Sequence, residues 1–174
     1  MADEDLIPDE TRGMIGMEGD SVTSAPVTEQ AIRRFAYAID DLNCLYSDPE
    51  YAVKSSYGGI IAPPFFYILT PFIDERIVPL SEHDAAGRPR HSDGLLGLPW
   101  IPLKVDRYQA GGVEVEFFQP IRPGDVLTRK TKLANLEQKE GSSGVFVLIT
   151  AETTYTNQKG ELVLRERTTM LVRH

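Results

Sequence analysis

The segment from Phe65 to Ile73 constrains this chain more than any other. Phe65, Phe66, Tyr67, Ile68, Leu69, Phe72 and Ile73 leave almost no polar stripe. A helix that is apolar on every side must be buried on every side. The segment is too short to cross a bilayer, which takes about 20 apolar residues. Some other part of the chain must therefore wrap it. Pro63 and Pro64 stiffen the approach, and Pro71 predicts a kink or an early end.

The C-terminal third supplies the wrapping. From residue 105 the pattern changes to a period of two: Val113, Val115 and Phe117 alternate with Glu114 and Glu116. Pro123-Gly124 matches a type II turn. Further long strands are predicted over Val126–Leu136, Val145–Thr156 and Leu162–Val172, with Asn157 to Gly160 as a hairpin connection. Thr128, Lys130 and Lys132 fall on one side and read as a solvated face. Long antiparallel strands with one polar face need their apolar face covered, and the 64–73 helix fits that role.

Upstream, five acids among the first ten residues mark residues 1–12 as an acidic, loosely docked terminus ahead of a single domain over 13–174. A short strand is expected between Gly13 and Val22. Thr28 can cap a helix whose Ile32, Phe35, Ala36 and Ile39 share one face and which ends near Asp40. Asp48-Pro49 suits the start of a short helical turn, and Gly58-Gly59 gives the chain backbone freedom. Residues 74–104 lack periodicity and carry prolines, glycines and Trp100, as a lid or an interface would.

The formal net charge of −8 argues against nucleic-acid binding. The acidic start has no secretory pattern. Cys44 is a single cysteine, so no disulfide framework exists and a reducing cytoplasm is the simplest location.

The stretches DDLNCLYSDPEYA, YGGIIAPPFF, FFQPIRPGD and YTNQKGELV, in that order, resemble the MaoC-like dehydratase family. More narrowly they are similar to its N-terminal-domain variety, found among (R)-specific enoyl-CoA hydratases and 3-hydroxyacyl dehydratases. The resemblance runs from about Gly13 to the C-terminus. It implies an α+β hot-dog fold, a long antiparallel sheet around a central apolar helix. It further implies an acyl-CoA or acyl-carrier thioester as ligand, a second hot-dog chain as partner, and no cofactor, metal, nucleic acid or membrane.

Hydratases of the family carry an Asp-x-Asn-Pro-x-His run whose Asp and His grip the reacting water. Here Asp41 and Asn43 match, Cys44 replaces the proline, and Tyr46 replaces the histidine. Tyrosine titrates near 10, whereas histidine exchanges protons near neutrality. A backbone N–H opening the central helix holds the thioester oxyanion in those relatives. Pro63-Pro64 offers none at these positions, and losing one such donor typically costs about 100- to 1000-fold in rate.

The implied catalytic positions are thus Asp41, Asn43 and Tyr46, and the implied substrate wall is Tyr57, Gly58, Gly59, Ala62, Pro63 and Phe65. Three readings follow: a tunnel-forming half whose partner supplies Asp and His, a homodimeric enzyme using Asp41 and Tyr46, or a non-catalytic acyl-thioester-binding module. Each of these residues also has a plain structural alternative. Asp41 could bond local amides, Tyr46 could be a wall residue, and Cys44, with no neighbouring base, reads as a small buried residue. Arg88 and Arg90 suit coenzyme A phosphates or open solvent. His83 and His91 lack metal-ligand spacing.

Overall fold

The structure, a computed structural model, describes residues 5–72, 97–142 and 144–174. Helices α1 (Asp9–Arg12), α2 (Glu29–Ala38) and α3 (Pro49–Lys54) precede most of the sheet. The strands are β1 (Val22–Thr23), β2 (Arg107–Phe117), β3 (Thr128–Gly141), β4 (Gly144–Thr156) and β5 (Leu162–Arg173). All pair antiparallel in the order β1-β3-β4-β5-β2. The α+β sheet curls so that alternate residues of β3, β4 and β5 face inward, as the period of two requires.

Two apolar clusters fill the concave side. One gathers Ile32, Ala36, Tyr46, Phe66, Tyr67, Leu127, Tyr155 and Leu164. The other gathers Leu6, Ile7, Leu98, Ile101, Leu133, Val147, Ile149 and Val172. Thr131, Thr153 and Glu166 lie between them, neighbours in register across β3, β4 and β5. These polar groups are buried but bonded. The Thr131 and Thr153 hydroxyls lie 2.9 Å apart, and the Thr168 hydroxyl donates to Glu166 Oε1 at 2.6 Å.

Local chemistry explains the element boundaries. The Thr28 hydroxyl accepts from Ala31 N–H at 3.1 Å and caps α2, and Asp48 accepts from Glu50 and Tyr51 N–H to cap α3 behind Pro49. Gly124 takes φ +89°, as the type II turn demands. Asn157 Oδ1 accepts from Lys159 and Glu161 N–H and sets the β4–β5 hairpin.

Several expectations change. The apolar segment forms a 3₁₀ helix, Pro64–Phe72, with Phe66, Tyr67 and Thr70 buried. Phe65, Ile68 and Leu69 are exposed, so among the described residues the sheet wraps one side of this helix and the other is uncovered. Residues 5–12 are docked, since Leu6 and Ile7 need burial and reach the second cluster. The strand sought between Gly13 and Val22 shrinks to a bridge at Glu18 and the short β1, because residues 13–16 turn. Leu98 is buried, while Trp100 is exposed. Cys44 is exposed rather than buried. Arg88, Arg90, His83 and His91 lie outside the described residues.

Candidate functional site

Segments from three parts of the chain meet at one end of the 3₁₀ helix. Ile61 N–H donates to Leu45 O at 3.2 Å, and Ala62 N–H donates to Ile121 O at 2.8 Å. These bonds clamp residues 60–62 between the 3₁₀ turn Cys44–Tyr46 and the loop after β2. That loop is anchored by Phe118 and Gln119 N–H, both donating to Val163 O. Arg122 Nη2 donates to Tyr57 O at 2.7 Å and ties the glycine turn to the same end.

The result is a cleft of about 490 Å³. Asn43, Tyr46, Tyr57, Ala62 and Pro63 line it, as does Pro64. Gly58, Gly59 and Phe65 do not. Gly58 instead supplies a turn at φ +66°, Gly59 lies by Arg122, and Phe65 sits against Tyr67 with ring centres 5.9 Å apart.

Asp41 lies behind the cleft wall, lining a smaller hollow of about 120 Å³ with Arg33, Tyr37 and Asn43. Asn43 lines both spaces, and Tyr46, on the cleft side, lies near enough to feel the Asp41 charge. Burial first, then the Asp41 charge and the neighbouring Tyr57, hold the Tyr46 hydroxyl above its ordinary value. It keeps its proton near neutral pH rather than exchanging it. Asn43 turns its Oδ1 to Leu45 N–H at 3.0 Å and so caps the short turn that presents Tyr46.

Beneath the cleft a second phenol network supports the 3₁₀ helix. The Tyr67 hydroxyl lies near the Glu166 charge, and Tyr67 packs edge-on against Tyr155 and Phe117. Burial drives the Tyr67 hydroxyl far up, and burial followed by the Glu166 charge pushes Tyr155 up to about 12.

Sequence reasoning did not assign Phe117, Phe118, Gln119, Pro120 and Ile121 to the site, although all five line the cleft. Their signal was the stretch FFQPIRPGD, where alternation stops after Phe117. Leu45 and Ile61 gave no signal beyond being apolar.

Residues 13–166 match the family model described as FAS1-like, dehydratase domain region. A UPF0336 protein of Thermobifida fusca (strain YX) is 29% identical over 147 residues, covering 84% of this chain and 83% of that protein. Among solved structures, the ChsH1-ChsH2 complex from Mycobacterium tuberculosis has a chain that superposes with a TM-score of 0.66 at 17% identity, covering 93% of this chain and 86% of that one. The C-terminally truncated HadBC (3R-hydroxyacyl-ACP dehydratase) complex from the same organism gives 0.60 at 20% identity, over 91% and 96%. The curled sheet, the half-wrapped helix and the family match agree: the chain belongs to the FAS1-like dehydratase-region family and has its MaoC-like hot-dog fold.

Proposed function

We propose that this chain is the tunnel-forming half of a two-chain enoyl-CoA hydratase or 3-hydroxyacyl-thioester dehydratase. A second hot-dog domain supplies the Asp and His that handle water. The observation that carries this reading is Tyr46 on the cleft wall, held protonated by burial and by the Asp41 charge, where the family's hydratases have a proton-exchanging histidine. A phenol held above its ordinary value does not take a proton from water near neutrality.

The prolines opening the 3₁₀ helix point the same way, because neither offers an N–H to a thioester oxygen. In hydration, the water's hydroxyl bonds to C3 of the acyl chain while C2 gains a proton. Dehydration reverses both events. On this reading the chain's own contribution is the apolar wall of Leu45, Ile61, Ala62, Phe117 and Phe118, which binds the acyl chain and excludes bulk water. Likeness to chains of two-protein complexes supports a paired arrangement.

A crotonyl-CoA hydration assay tests the proposal, run on the pure chain and on the complex that co-purifies with it. Turnover by the complex and none by the chain is expected. Full turnover by the pure chain overturns it. The homodimeric alternative has the closeness of Tyr46 to the Asp41 charge in its favour, and it requires Asp41→Asn to abolish turnover in a folded protein.

A further inference from the structure

The cleft ends on aromatic rings. Phe117, on its wall, meets Tyr67 edge-on with ring centres 6.2 Å apart, and Tyr67 meets Tyr155 edge-on at 5.3 Å. Phe66, the residue before Tyr67, packs edge-on against Phe35 at 5.7 Å. Phe66, Tyr67 and Tyr155 are all buried, so this floor is packed rather than open to water.

Behind the floor the interior turns polar. Thr131, Thr153 and Glu166 follow one another in register across β3, β4 and β5, and all three are buried. Among the described residues, no buried side-chain nitrogen or oxygen lacks a hydrogen-bond partner. The belt therefore asks nothing of a ligand, and methylenes laid against it would displace bonds already made. Past the belt the chain fills the space itself, with Leu6 and Ile7 clustered with Leu133 and Val147. The remaining direction runs along β2, where Val113 is exposed. A tail lying there keeps much of its surface in water, and burial is what drives apolar binding.

We propose that the site takes a short acyl chain, of about four to six carbons, and that Tyr67 and Phe117 set the limit. The proposal rests on the thioester reading above and adds the class of acyl group.

The length follows from the helix. Pro64 lines the cleft, and Tyr67 comes one 3₁₀ turn later, a rise of roughly 6 Å that an extended chain of roughly five carbons covers. A thioester held at the opening prolines thus brings the end of such a tail against the Tyr67 ring. Further carbons meet either the packed floor or open water, and neither repays them.

Butyryl-, hexanoyl-, octanoyl- and decanoyl-CoA are the probes, titrated calorimetrically into the pure chain and into the complex that co-purifies with it. Each methylene moved from water into an apolar site tightens binding roughly fourfold. That gain is expected from butyryl- to hexanoyl-CoA, after which binding should stay within about twofold up to decanoyl-CoA. Tyr67→Ala vacates the floor and should tighten octanoyl-CoA about tenfold relative to hexanoyl-CoA. If circular dichroism shows that this variant does not fold, Phe117→Ala, which truncates a half-exposed ring, serves in its place. Tightening that continues unbroken to decanoyl-CoA in the wild type overturns the stop and leaves the thioester reading standing. A plateau that neither variant moves overturns the assignment to Tyr67 and Phe117. No binding of any acyl-CoA, by chain or complex, overturns the length limit and the thioester reading together.

Discussion

The two edges of the sheet are built on opposite principles. The outer side of the first half of β3, from Thr128 to Leu133, is occupied by the N-terminal segment. Gly16 N–H donates to Leu133 O, Leu133 N–H to Met17 O, Gly19 N–H to Thr131 O and Ser24 N–H to Leu127 O. Glu18, Val22 and Thr23 add backbone pairing along the same side. The edge at β2 has no such cover among the described residues, and nearly every residue of that strand is exposed. An edge left bare on a folded domain is an aggregation hazard unless something is meant to sit on it. The guarded edge lies by the second apolar cluster, and the bare edge borders the cleft through Phe117 and Phe118. Cover and exposure thus fall on different sides of one sheet.

The sharpest way to break this comparison is truncation on each side. Ile149→Ala, in the fully buried centre of β4, should cost about 2–5 kcal/mol in urea unfolding. Val113→Ala on β2 should stay within about 0.5 kcal/mol in the isolated chain. A large loss from Val113→Ala would mean that the edge is already covered.

Alkaline titration probes the interior. Tyr155 is raised from 10.0 to about 12 by burial in the interior. The folded state therefore holds its proton more tightly than the unfolded state. That stability is fully present below pH 10 and is lost as pH rises toward about 12. At about 1.4 kcal/mol per unit, the effect is at most about 3 kcal/mol. Tyr155→Phe should flatten that part of the pH–stability curve, followed by thermal melts. Tyr108 on β2 is likewise raised, by burial and then by the Asp106 charge.

Gly19→Ala probes the guarded edge. A Cβ there would meet the Gly97 backbone oxygen at 2.0 Å, so the covering segment must shift. A loss of about 1–3 kcal/mol, with faster hydrogen exchange at Thr131 and Leu133, is expected.

The smallest effect belongs to the ion pairs on the outer face of the sheet. Lys132→Met, which removes the pair with Glu152, should cost less than about 1 kcal/mol in urea unfolding.

Much of the fold was legible in the residues themselves. The period of two located four long strands, Thr28 and Asp48-Pro49 marked the starts of two helices, and Pro123-Gly124 marked a turn. Of the site, the Asp41 to Tyr46 run and the Ala62-Pro63 approach were legible because polar and imino residues stand out locally. The wall formed by Phe117 to Ile121 was not, since its place depends on the bond from Ala62 N–H to a residue far along the chain. The segment around Phe65 misled for a related reason. Its composition states that it is apolar, but composition does not say which side a sheet of finite width reaches.

Alternation and capping act between near neighbours, so the sequence alone determined that there would be long antiparallel strands with a charged outer face, preceded by short capped helices. Which edge would be strapped and which left bare was decided by tertiary structure. That choice depends on where Leu6 and Ile7 find burial and on how far the sheet curls around the 3₁₀ helix, and both are set by contacts between residues distant in the chain.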